Sequence, residues 1–137
     1  MTKIISGRTK KVLVLLMVSV SMILLGFSYA FARNIASYDL IVPRFGGTAF
    51  TEPLTKVSTT SGVDNNTNIG GGYRHRTAIY RGVDMVTEQV VITAGSRVVL
   101  SFLPGENLPG TGYRLGHTSG LLTPVRVQAR GTWSPDL

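Results

Sequence analysis

The chain has no cysteine. That excludes a disulfide framework, a thiol nucleophile and a thiolate metal centre, so stability has to come from a core or a partner. Histidine is scarce too: His75 and His117 stand far apart, and neither lies in a Gly-x-Ser-x-Gly elbow or a zinc-ligand spacing. His75 sits between Arg74 and Arg76, whose charges would disfavour its protonated form, and His117 reads as a solvated residue of a glycine-rich turn. Acids are few, at seven. Glu88 is the one placed inside a strand, and nothing identifies a partner for the carboxylate pair that glycoside cleavage needs. Asp64-Asn65-Asn66-Thr67-Asn68 resembles the opening of a calcium loop, but position 75, where the closing glutamate would stand, is His. An Asx-rich turn is the better reading, and no metal or other cofactor is expected. Asn65-Asn66-Thr67 matches a glycosylation pattern too short to carry weight.

One long apolar run is present. Val12 to Phe27 carries no charge, and Lys3, Arg8, Lys10 and Lys11 precede it without an acid among them. Ala30-Phe31-Ala32 follows as a small-residue cleavage site, with Ala30 and Ala32 at the two required positions. Basic flank, apolar core and A-x-A site are the three parts of a secretory signal. An uncleaved anchor is the alternative, since Val12 to Ala32 approaches the length needed to span a bilayer. The expected organisation is a signal peptide over residues 1–32 and a single domain over 33–137, secreted and either free or retained at the cell wall. The long basic flank and the lack of disulfides suit a Gram-positive exporter.

Removing the signal changes the charge. Of 14 basic residues, four lie in it, which leaves ten against seven acids and a net charge of +3. Nucleic acid is therefore a poor partner for an exported chain, and contact with the membrane is expected only through the signal before cleavage. Nine of the ten remaining cations are Arg, and Lys56 is the exception.

No window of residues 33–137 repeats its apolar positions at the helical period. Short β-branched runs alternate instead with Gly, Pro, Asn and Ser clusters. Strands are expected at Tyr38–Val42, Thr48–Thr51, Leu54–Thr60, Tyr73–Arg81, Met85–Ile92, Arg97–Leu103 and Tyr113–Gly116, and from Leu121 to Trp133 with a break at Pro124. Gly82-Val83-Asp84 and Thr93–Ser96 read as tight connections between consecutive antiparallel strands. Ser61–Gly72, rich in Asn and Gly, reads as a long loop, and His117–Gly120 as a turn. Val125, Val127 and Ala129 alternate with Arg126, Gln128 and Arg130, which puts one face inward and a cationic face in water. The fold class expected is all-β, a small antiparallel β-sandwich or barrel of seven to eight strands. Trp133 is expected in its core.

Arginine and aromatic residues recur together at Tyr73-Arg74-His75-Arg76, Tyr80-Arg81 and Tyr113-Arg114. On strands, Arg74, Arg76 and Tyr80 share one face, as do Arg126 and Arg130. If those strands were neighbours, their side chains would hold phosphate or carboxylate polymers through forked hydrogen bonds. Otherwise they line a solvated sheet face.

Ile41-Val42-Pro43, Phe45-Gly46-Gly47, Ile69-Gly70-Gly71, Tyr113-Arg114-Leu115-Gly116 and Gly131-Thr132-Trp133-Ser134-Pro135-Asp136 together resemble an uncharacterised family of small exported Gram-positive proteins. That family has no established activity, so the resemblance carries over no functional residue. Some such proteins look like companions of bacteriocin export or immunity systems. The leading expectation is a non-enzymatic binding domain whose partner is an anionic envelope polymer or another protein. A bacteriocin-like antimicrobial or toxin-associated protein and a small hydrolase are the alternatives.

Overall fold

The computed structural model describes residues 7–25 and 32–137. The chain divides into two units, Met1–Phe31 and Ala32–Leu137. The first holds helix α1 (Gly7–Leu25), which after its basic start is Leu, Val, Met and Ile apart from Ser19 and Ser21, with no proline to break it. Among the described residues no helix is long and apolar enough to cross a membrane. Of the expected cleavage site, Ala32 is described and Ala30 lies outside the described residues.

The second unit is an all-β sandwich of ten strands: β1 (Ala36–Val42), β2 (Thr48–Phe50), β3 (Leu54–Thr55), β4 (Gly62–Ile69), β5 (His75–Arg81), β6 (Asp84–Met85), β7 (Val90–Ile92), β8 (Arg97–Leu100), β9 (Gly112–Ser119) and β10 (Val127–Ser134). One sheet runs β1-β10-β4-β8. In the other, β9 and β5 lie side by side, with β2 and β3 sharing the outer edge of β9 and β6 and β7 that of β5. Every pairing is antiparallel. Both edges of the second sheet are thus broken into two short pieces. The strands outnumber the seven or eight expected because Met85–Ile92 divides into β6 and β7 and because β4 forms where a loop was expected.

Several boundaries depart from the expectation, each for a local reason. Leu54–Thr60 stays extended only through Thr55, because the backbone at 56–58 turns inward around Asp136. Met85–Ile92 splits around Val86 and Thr87, whose hydroxyl takes a hydrogen bond from the Ile79 amide. Thr93–Ser96 is a tight turn, but it carries the chain from one sheet to the other, so β7 and β8 do not pair. The last strand begins at Val127, and Val125 is exposed in the preceding loop.

The largest correction is Ser61–Gly72, which is no loop. Gly62–Ile69 forms β4, flanked by β10 and β8, and only Gly70–Gly72 turns. Gly62, Asp64 and Asn66 are buried, and then the parity breaks so that Ile69 is buried as well. The break is a bulge: Asn66 pairs with Gly131 and Asn68 with Arg130, leaving Thr67 unpaired between them. The Thr67 hydroxyl instead donates to the Arg130 carbonyl at 3.0 Å.

The core draws on both sheets, with Val42, Ile69, Ile79, Val86, Ile92, Leu100, Tyr113, Leu115, Val127 and Trp133 among its members. All of it lies between residues 38 and 133, so the β unit carries its own core. Trp133 is 1 % exposed, in the interior as expected.

The chain's last residues are bound into the fold. Lys56 is fully buried, with its ammonium on the carbonyls of Thr60 and Pro135, 3.2 Å from the Asp136 carboxylate and 4.5 Å from the Phe102 ring centre. Asp136 also accepts from the amides of Val57 and Ser58 and from the Ser58 hydroxyl. Burial lowers the Lys56 pKa, opposed by Asp136; burial alone would raise that of Asp136, but these donors more than offset it and hold it down. Removing one partner of a buried pair leaves the other uncompensated, which costs about 3 kcal/mol or more. Asp136→Ala is therefore expected to lower the urea midpoint of residues 33–137 strongly, although residues this close to a terminus usually tolerate change. An unchanged midpoint would show that the buried ammonium needs no carboxylate.

Candidate functional site

The densest chemistry in the domain lies between the sheets. Asp64, on β4, is fully buried. One carboxylate oxygen accepts from the Tyr38 hydroxyl of β1 at 2.7 Å. The other accepts from the Thr77 hydroxyl of β5 and from His117 Nε2 of β9, both at 2.8 Å. The Asn66 amide donates to the Tyr38 oxygen at 3.1 Å. Gly131 leaves room for this arrangement: a Cβ there would lie 2.2 Å from the Asn65 carbonyl oxygen and 2.7 Å from the Tyr38 hydroxyl. Burial, and then the charge of Asp64, raise the Tyr38 pKa far above the ordinary phenol range, so its proton stays on.

His75 and His117, remote in sequence, meet here with their Nδ1 atoms 3.4 Å apart and their rings edge to face. A carboxylate only accepts, so His117 Nε2 is the donor to Asp64, and a hydrogen bond between the two facing Nδ1 atoms needs a proton on one of them. His75 Nε2 and Asn66 Oδ1 have no partner. Burial, and then His117, push His75 down to about 4, so it is neutral at pH 7. The direction expected from its arginine neighbours holds, but the cause is desolvation, since Arg74 and Arg76 are exposed. The reading of His117 as a solvated turn residue is overturned: it lies within β9 and is wholly buried. The group does not converge on a metal, because Asp64 and His75 occupy opposite nitrogens of the His117 ring. Asp64, His75, Thr77 and His117 are all buried between the sheets, and their hydrogen bonds make the group a polar pin.

The proposed ligand-binding arginines separate. Arg130 lies on the sheet opposite to β5, exposed and bound to Asp39 at 3.1 Å. Tyr80 does share the outer face of β5 with Arg76, but the residue is only 8 % exposed and its ring is covered edge to face by Phe50 at 5.0 Å. Gly116, in the neighbouring strand, supplies the space for both rings. Arg114 lies over Phe50 and donates to the Gly82 carbonyl, and Arg81 pairs with Glu106 at 2.6 Å. Glu88 is exposed between β6 and β7 and faces no second acid across a cleft.

Arg74, Arg76 and Arg126 are exposed, and Arg76 reaches a surface absent from the sequence expectation. The loops 43–47 and 120–126 are stitched together: the Phe45 amide donates to the Thr123 carbonyl, and the Gly46 amide to the Gly120 carbonyl and the Ser119 hydroxyl. Ser119 in turn donates to the Pro43 carbonyl, and its amide to the Gly47 carbonyl. Joined in this way, the two loops hold Phe45, Leu121, Leu122 and Val125 out at 57, 72, 93 and 47 % exposure. Leu121 and Leu122 line a cleft of about 540 Å³ with Tyr73 and Arg76. Phe45 has φ +55° and Gly46 +77°, the signs of a type I′ turn, and Phe45 is the one non-glycine described at positive φ. A bulky residue there costs roughly 1 kcal/mol, a strain of the kind that collects at functional surfaces.

Two measurements test these assignments. With His75 depressed to about 4 in the fold against 6.5 unfolded, the unfolded chain binds the extra proton between those values. Stability is then complete above pH 6.5 and falls as pH drops toward 4, by a ceiling of roughly 3 kcal/mol. Melts at pH 7 and pH 5 should show that loss in the wild type and a flatter dependence in His75→Gln; equal slopes would remove His75 as its source. Phe45→Asn places a residue tolerant of positive φ in the turn, and about 1 kcal/mol relieved should raise Tm by roughly 4–8 °C. A fall in Tm would mean that the ring supports the fold instead.

No protein-family model, curated protein or solved structure matches the chain, so its own geometry is what bears on function.

Proposed function

We propose that residues 33–137 form an exported, non-enzymatic binding domain that works at or outside the cell envelope, and that its contact surface is the loop end carrying Arg44, Arg74, Arg76 and Arg126. Export rests on the basic flank, apolar run and A-x-A site of the first 32 residues. The observation that carries the binding role is how charge is distributed. Elsewhere several cations are engaged, Lys56 by Asp136, Arg81 by Glu106, Arg130 by Asp39 and Arg114 by Phe50 and a carbonyl, while the exposed Arg33 and Arg97 lie outside the loop end. At the loop end, none of the four arginines forms an ion pair among the described residues, and segments 43–47, 70–76 and 120–126 contain no acid. Unneutralised guanidinium groups in a cluster favour an anionic partner. Of the residues first expected to bind, Arg74, Arg76 and Arg126 belong to this surface, and Tyr80 and Arg130 do not.

Purified 33–137 should be retained by isolated cell envelopes at low salt and released at high salt, with Arg76→Gln/Arg126→Gln weakening retention and flattening its salt dependence. Retention indifferent to both salt and the substitutions would remove this surface from the binding role.

A further inference from the structure

Charge alone does not account for this end of the molecule. An anionic polymer would reward the arginines and ignore the leucines. Leu122 at 93 % exposure and Leu121 at 72 % touch water at the crest of a loop, with Phe45 beside them. Nor are these the loose ends of a mobile segment, for the stitching bonds hold both loops on the sandwich. Phe45 keeps its ring outward in a backbone conformation that Gly or Asn would occupy with less strain. Exposed apolar side chains clustered on a rigid support mark a contact surface.

We infer that this loop end docks on a lipid bilayer with anionic headgroups, Leu121, Leu122 and Phe45 entering the interface while Arg44, Arg76 and Arg126 take the phosphates. This deepens the binding role proposed above and rests on it. Such a boundary has the two properties the surface has: an apolar layer a few ångströms deep, and above it a plane of phosphate oxygens. Arg44 stands beside Phe45, with its guanidinium 5.4 Å from the ring centre. Arg76 flanks the leucines across the cleft, and Arg126 ends their loop immediately before β10. Cations thus border the apolar tip, as a surface that dips in without crossing requires. A protein partner would be expected to supply acids and a shaped pocket. A flat sheet of phosphates needs only protruding side chains with forks at their rim.

The test uses residues 33–137, which carry their own core and lack the apolar run that would bind lipid by itself. Flotation with vesicles of phosphatidylcholine, with and without phosphatidylglycerol, is run beside retention on delipidated envelopes. The wild type should float with the phosphatidylglycerol vesicles and much less with phosphatidylcholine alone. Losing Arg76 and Arg126 together should weaken flotation about 25-fold, taking ~1 kcal/mol per cation near a charged surface. Leu121→Asp/Leu122→Asp should weaken it on the order of tenfold or more, even at salt high enough to screen the arginines. Phe45→Asn should weaken it while the protein melts higher, which a merely structural role for the ring would not produce. Retention on delipidated envelopes without flotation would overturn the lipid assignment and leave the binding role standing. No retention on either would overturn both. Flotation indifferent to the leucine and arginine substitutions would place the lipid contact elsewhere and overturn this one.

Discussion

Asp64 is fully buried between the sheets, and no lysine or arginine among the described residues is bonded to it. Its two oxygens take hydrogen bonds from Tyr38, Thr77 and His117, which come from both sheets. Each donor replaces water that the carboxylate lost, and a hydrogen bond to an ionised acceptor is worth about twice a neutral one. The geometry has a wider consequence. Side chains alternate along a strand, so a one-residue slip of β5 or β9 would turn Thr77 or His117 to the outer face and leave the carboxylate unsatisfied. The pin therefore fixes how β1, β4, β5 and β9 are registered as well as how far apart the sheets lie. Apolar residues of like volume would fill the space at equal or lower free energy, but would accept more than one register.

The same network explains which parts of the fold were legible in the sequence. Where the inward residues are apolar, as in Val127 and Ala129 of β10 or Ile79 of β5, period-two alternation marks the strand directly. In β4 the inward residues are Gly62, Asp64 and Asn66, and the bulge at Thr67 then reverses the parity before Ile69. A strand that turns polar groups inward and changes parity midway carries the composition of a loop. His117 was hidden in a related way, since Gly116 and Gly120 around it look like turn formers. Gly116 is in fact there so that the rings of Tyr80 and Phe50 can lie across the outer face of β9. A polar residue buried by long-range partners leaves no trace in local pattern.

The candidate surface was legible in part. Composition exposes the arginine bias, and strand parity correctly puts Arg76 and Tyr80 on one face. It cannot say that Phe50 covers the Tyr80 ring, or that Arg130 lies on the other sheet with Asp39 as its partner. The apolar half of the surface was invisible, because Leu121 and Leu122 read as the start of the last strand. Only the backbone bonds between the loops at 43–47 and 120–126 show that these leucines are held away from the core.

Those bonds also bear on how such a surface would work. A loop that must order itself on contact loses conformational entropy at that moment, and affinity falls accordingly. Here the ordering is done during folding. Ser119 is the joint: its hydroxyl accepts from Gly46 and donates to Pro43, and its amide donates to Gly47. Ser119 is also the last residue of β9, two positions beyond His117 and on the same inward face. The strand that carries one of Asp64's three donors thus ends in the residue that clamps the Phe45 turn. A single register, set by a buried carboxylate, therefore places both. The strain at Phe45 persists because the turn is held from three sides, and a ring fixed outward before contact has little entropy left to lose when it is covered.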